Sequence, residues 1–217
     1  MPNSDPITFT IEDSLLKICA PRKEDVLFRA DANDRSKNVW LNYTGSGFLY
    51  SQGYRDAAKV LSEEVLASAT VDKACSIFPI LFLYRHHIEL VLKRLTSTGA
   101  FILGKELTKA ESEKLLQHRL DLIWGIGRPI LEAARDELGW PEPTNEDMDG
   151  IQAYIEQLTQ FDPDGQGSRY AVSREGDRSL AYSKQINIRV FTEQMNRLGD
   201  FLERLDTGFS GAASFKE

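Results

Sequence analysis

Residues 81–93 read Leu81-Phe82-Leu83-Tyr84-Arg85-His86-His87-Ile88-Glu89-Leu90-Val91-Leu92-Lys93, and the reading of this stretch decides the fold. At about 100° per residue, Arg85, His86, Glu89 and Lys93 fall within one arc of roughly 100° on a helix. Ile88, Leu92 and Leu95 lie beside that arc, and Leu81 extends the apolar stripe backward. The two turns before the cluster are apolar all round, which is the pattern of a central helix. Charges on a central helix need partners. Two readings are open: an Arg85–Glu89–Lys93 ladder at i,i+4 spacing on a half-exposed face, or a partly buried site.

Working outward, the spacing predicts a helix from Thr70 or Asp72 to about Ser97, kinked or divided at Pro79 and stopped at Gly99. Upstream, Arg55 to Ser68 carries Ala58, Val60, Leu61, Val65 and Leu66 in an amphipathic pattern after Gly53. Downstream, Thr108-Lys109-Ala110-Glu111 has the capping-box form. It opens a third helix carrying Leu115, Leu116, Leu120, Leu122 and Ile123, interrupted by Gly125-Ile126-Gly127-Arg128-Pro129 and continued from Ile130 to Leu138. Thr144 or Asn145 caps the next helix, with Ile151, Tyr154, Ile155, Leu158 and Phe161 on one face. The last helix has the cleanest seam, Ile188, Phe191, Met195, Leu198, Leu202 and Leu205, suited to a bundle or a partner helix. The seam motivates an expected homodimer.

The flanks read differently. Ile7-Thr8-Phe9-Thr10-Ile11 alternates, and β-prone runs recur at Val26-Leu27-Phe28 and Val39-Trp40-Leu41-Asn42-Tyr43, which predicts a small N-terminal β meander. Arg169–Ser173 and Ser179–Ser183, joined by Glu175-Gly176-Asp177, predict a short β-hairpin before the last helix. The expected organisation is a β-rich segment over residues 1–50, a helical bundle over 51–206 and a flexible tail over 207–217. The fold class is mainly α.

With 26 Lys and Arg against 33 Asp and Glu, the formal net charge of -7 argues against a broad basic surface for duplex nucleic acid. It leaves room for a local basic pocket. Met1-Pro2-Asn3-Ser4-Asp5-Pro6 lacks the charged and apolar regions of a secretory signal. Cys19 and Cys75, the two cysteines, are far apart and in no CxxC spacing. The run Ala74–Tyr84 is about half the roughly 20 residues of a membrane span. A cytoplasmic protein with no membrane contact is expected.

His118, in Gln117-His118-Arg119-Leu120, is the third histidine. On a neighbouring helix it can face the polar arc, where an imidazole beside a carboxylate can shuttle protons. Adjacent His86 and His87 point in different directions and no HExxH pair exists, so neither a metal nor a cofactor is expected. Asp164-Gly165-Gln166-Gly167-Ser168-Arg169 follows a helix rather than a strand, unlike a phosphate loop, and serves to present Arg169 and Tyr170. No GxSxG, Walker-type or Cys-His arrangement is present.

Tyr54–Leu66, Leu83-Tyr84-Arg85-His86-His87-Ile88-Glu89-Leu90, His118-Arg119-Leu120-Asp121-Leu122-Ile123-Trp124 and Phe161-Asp162-Pro163 before Arg169-Tyr170 together resemble bacterial proteins related to the HEPN superfamily. The resemblance covers roughly residues 50–206. It implies a helical bundle, commonly dimeric, acting in toxin-antitoxin, phage-defence or stress systems on RNA or nucleotide. Many such proteins are metal-independent ribonucleases whose signature is an arginine, four to six residues, then a histidine. No arginine in this chain stands at that distance before a histidine, so the signature maps onto no residue here.

The leading expectation is therefore a binding or interaction module with a possible RNA, nucleotide or protein partner. Its ligand residues would be Arg85, Lys93, Arg169 and Tyr170. The rival is a ribonuclease with a rearranged site, in which His86, Glu89 and His118 are catalytic. A third expectation is a structural ion-pair helix with no site.

Overall fold

The computed structural model describes residues 23, 26–28, 30–39, 47–68, 73–172, 176–180 and 185–216. The chain divides into two compact units, Met1–Thr44 and Gly45–Glu217. In the first, the described residues hold one turn of 3-10 helix at Arg35–Lys37, with Asn38 hydrogen-bonded to both the N–H and the carbonyl of Asp31. Val26, Leu27, Phe28 and Val39 are exposed and form no strand, because no described neighbour supplies ladder hydrogen bonds. The other meander segments, Ile7–Ile11 and residues 40–43, lie outside the described residues.

The second unit is a helical bundle of α1 (Phe48–Ala67), α2 (Lys73–Ile102), α3 (Lys109–Leu115), α4 (Leu120–Glu137), α5 (Asn145–Phe161) and α6 (Ile188–Ser214). Helix α2 is central and packs against α1, α4 and α6, while α4 also carries α3 and α5. Ile80, Tyr84, Ile88, Val91, Leu92 and Leu95 of α2 are fully buried. They meet Ala58 and Val65 of α1, Leu120, Ile123, Trp124 and Leu131 of α4, and Met195, Leu198 and Leu202 of α6. By length and composition α2 could cross a membrane, yet half of its apolar window is buried in the bundle.

Tertiary packing overrides several local breakers. Pro79 lies inside α2 without dividing it, because it faces solvent while the apolar face runs past it. Gly99 does not stop α2 either. Its bare Cα allows close contact with α4, where an added Cβ would lie 3.0 Å from Ile130 and 3.4 Å from Leu131. The helix ends instead where Gly104 takes φ +61° and the Lys105 N–H bonds back to the Ala100 carbonyl. Residues 125–129 do not interrupt α4, whose buried Ile126, Gly127 and Ile130 form a continuous contact with the bundle.

Both capping signals act as read. Thr108 accepts from the Glu111 N–H and Thr144 from the Asp147 N–H, each in a reciprocal box. The third helix stops at Leu115, however, and α4 begins at Leu120. His118 thus sits on a connecting turn rather than on a helix.

Two expectations near the C-terminus are corrected. The described part of the hairpin is one antiparallel bridge, Val172–Arg178, with the Ser179 N–H bonded to the Ala171 carbonyl. The N–H groups of Arg169 and Tyr170 turn back to the Gln166 carbonyl at 3.0 and 2.9 Å and so cannot feed a ladder. The tail after Gly208 continues α6 to Ser214, because Phe209 is fully buried with its ring 5.4 Å from that of Trp140. Met195, Leu198, Leu202 and Leu205 pack inside this bundle, so the seam that suggested a dimer is satisfied within one chain.

Candidate functional site

Helix α2 places Arg85, Glu89 and Lys93 on successive turns, and the connection to α4 brings His118 over them. Glu89 is buried, with 2% of its side chain exposed. Its Oε1 accepts from Lys93 Nζ at 2.8 Å and stands 2.9 Å from His118 Nδ1. Its Oε2 lies 3.7 Å from Arg85 Nη1 and 3.9 Å from His86 Nδ1. Burial alone would raise the carboxyl's pKa, but His86, Lys93 and His118 more than offset it and hold the group at about 2. An ionised carboxylate only accepts, so Nδ1 of His118 carries the proton and donates it. Nε2, on the far side of the ring, is the nitrogen left for a ligand.

His118 is half exposed and lines a cleft of about 750 Å³ with Arg119, Asp164, Gln166 and Tyr170. The cleft's other wall is the turn after α5. There the buried Asp162 carboxylate accepts from the N–H groups of Gly167 and Ser168 at 2.9 and 3.1 Å, and Asp164 accepts from the Gln166 N–H at 3.0 Å. Both acids are thus tied to the backbone of the loop they shape.

Arg85 joins the two walls. Its Nη2 donates to the His118 carbonyl at 2.7 Å and, more weakly, to the Pro163 carbonyl at 3.4 Å. Its guanidinium lies against Gly165, where an added Cβ would come within 2.4 Å of Nη1. Burial lowers its pKa, and the carboxylates of Asp162 and Glu89 oppose that shift. It therefore holds the turn bearing His118 in place, rather than presenting itself to a ligand.

The remaining expected residues separate. His86 is held between aromatic rings, edge-on to Tyr54 at 4.4 Å and stacked on Phe82 at 5.5 Å, and it lines a different recess from His118. Arg169 donates to the Gly165 carbonyl at 2.8 Å and covers the Phe82 ring at 5.5 Å. Tyr170 is exposed and lines the His118 cleft. Among the described residues, no group of three or more His, Cys, Asp or Glu side chains is arranged to hold a metal ion.

A second polar network lies between α1, α2 and α6. Buried Arg55 pairs with Asp200 and Glu203, and Arg94 donates to Asp206 at 2.7 Å and to the Ser51 hydroxyl at 3.0 Å. His87 is fully buried with Nδ1 2.9 Å from the Ser51 carbonyl, so that nitrogen donates. Burial, its largest influence, brings its pKa down to about 4 despite the Ser51 bond, which favours the charged form. Sequence reading overlooked this network. Its signal was the polar row Asn196, Asp200, Glu203 and Asp206, which runs beside the apolar seam of α6 at steps of four, three and three.

Comparison of the chain with protein-family models, with curated proteins and with solved structures finds no match.

Proposed function

We propose that the protein is a HEPN-like helical-bundle module that handles RNA or nucleotide in the cytoplasm, within a bacterial defence or stress system, and that its ligand site is the His118 cleft. One observation supports this reading above the others: the buried, ionised Glu89 fixes the tautomer of a half-exposed imidazole at the mouth of an open cleft. Arg119, paired with Asp121 through Nε and Nη2, keeps further N–H donors for a phosphate there; His118 adds an Nε2 donor when its ring is protonated, and Tyr170 offers a ring face for a base.

The same dyad favours a second reading, metal-independent phosphodiester cleavage. Nε2 of His118 would move the proton at the reacting phosphodiester, and Glu89 would stabilise the imidazolium that forms. Arg85 acts in this scheme as a positioning residue.

The test is fluorescence anisotropy with a labelled single-stranded RNA and with ATP as competitor, comparing the wild type with His118→Ala and Arg119→Ala. Binding that weakens in both variants supports the module. No binding, or equal binding by all three proteins, overturns it. Adding EDTA and following RNA length over time separates the two readings. Cleavage lost in His118→Ala supports the enzyme, and intact RNA restricts the protein to binding.

A further inference from the structure

Two partners of buried Glu89 line separate openings, His118 the cleft and Lys93 a recess. The recess, on the α1–α2 side, is of about 460 Å³ and is lined by Tyr50, Tyr54, His86, Lys93, Arg94 and Ser97 among others. That volume suits a single-ring ligand. In a chain with an excess of acids, no carboxylate lines this recess among the described residues. Two buried acids stand behind its cations, Glu89 at 2.8 Å from Lys93 and Asp206 at 2.7 Å from Arg94.

The walls are firm and chemically specific. Tyr54 stands edge-on to His86, which stacks on Phe82 with 13° between the ring planes, so one side is an ordered aromatic surface. Lys93 is a quarter exposed and gives one of its three N–H donors to Glu89. Arg94 supplies a second cation, fixed by Asp206 and Ser51 and covering the Phe48 ring at 5.5 Å. Aromatic surface beside cations, with no carboxylate on the recess wall among the described residues, selects a planar group that carries negative charge.

We propose that this recess is a second ligand site, for a small aromatic anion, and that its occupancy is transmitted to His118 through Glu89. The link is one atom. Lys93 and His118 both use Oε1 of Glu89, so an anion that draws the ammonium outward leaves that oxygen to the imidazole alone. The His118 ring is then held by an undivided acceptor, and by reciprocity a ligand on His118 alters the affinity of the recess. The site stands apart from RNA binding, because it requires neither the cleft nor any nucleic acid.

Heteronuclear NMR on the full chain tests this directly, with phenyl phosphate and benzoate as probes, inorganic phosphate as the ring-free control and benzyl alcohol as the uncharged one. The expected result is saturable perturbation of the Tyr54 and Lys93 signals by the two aromatic anions, with a concurrent shift of the His118 ring resonance. Lys93→Gln should weaken binding about tenfold and abolish the His118 response, and Lys93→Arg should restore binding, which guards against a folding defect. Benzyl alcohol binding as tightly as benzoate, or no saturable perturbation, overturns the site. Aromatic anions that bind while the His118 resonance stays still overturn the coupling.

Discussion

Lys93 Nζ and His118 Nδ1 converge on a single oxygen, Oε1 of Glu89, at 2.8 and 2.9 Å. One residue belongs to α2 and the other to the turn before α4, so a buried carboxylate ties the helix to a connection that Arg85 also holds through the His118 carbonyl. Burial raises the pKa of Glu89, and His86, Lys93 and His118 together outweigh it by favouring the charged form.

Replacing Glu89 with Gln keeps the shape of the side chain but leaves Lys93 and Arg85 without their buried counter-charge. A loss of about 3 kcal/mol in urea unfolding is expected, in the range for breaking a buried pair from one side. RNA affinity should fall as well if His118 is the ligand group. Lowered stability with unchanged affinity would make the cluster purely structural.

Gly165 has φ +73°, and a Cβ there would meet Arg85 Nη1 at 2.4 Å. Gly104 has φ +61° with nothing within 4 Å, so Gly104→Ala measures backbone strain alone, about 1–2 kcal/mol. Gly165→Ala should cost at least ~1 kcal/mol more by thermal or chemical unfolding, as the guanidinium is forced from its carbonyl partners. Equal losses would mean that Arg85 moves aside freely.

The crossing of α2 over α4 depends on Gly127, where a Cβ would lie 2.5 Å from the Thr96 hydroxyl oxygen. Gly127→Ala should destabilise the fold by about 1–3 kcal/mol despite the better helix propensity of alanine. Adding Thr96→Ala removes the obstructing oxygen and should recover most of the loss. A double variant no better than the single one would place the conflict elsewhere.

His87 gives stability a pH dependence of defined sign. Its folded pKa of about 4 lies below the ordinary value of 6.5, so between these limits the unfolded chain binds the extra proton. Stability is full above pH 6.5 and declines as the pH falls towards 4, by about 3 kcal/mol in all. The Glu89 contribution is lost in a lower window, from pH 4.5 down to about 2. Urea midpoints of wild type and His87→Gln at pH 7, 5.5 and 4.5 check this, and a variant that keeps the wild-type slope shows that another group is responsible.

Much of the bundle was legible because helix signals are local. The capping box at Thr108 is a four-residue motif, the cap at Thr144 lies within the same short span, and the α6 seam is a repeat within one segment. The polar arc of α2 was readable for the same reason, down to the Glu89–Lys93 pair. Pro79 does not divide α2, Gly99 does not stop it and residues 125–129 do not interrupt α4, because the burial of Ile80, Gly99 and Ile130 outweighs local propensity.

By itself, then, the sequence determined that this is a mainly helical protein with charges set on its most apolar helix, since periodicity and capping depend only on neighbours along the chain. Tertiary structure alone decided what those charges do. Arg85 looked like a phosphate ligand and is a clip on two backbone carbonyls. His86 and His118 looked like one site and face separate openings. Both outcomes hang on contacts between α2 and turns more than 28 residues away, such as His118 on Glu89 at a separation of 29. No local pattern encodes such contacts, because they form only when several apolar faces are buried together.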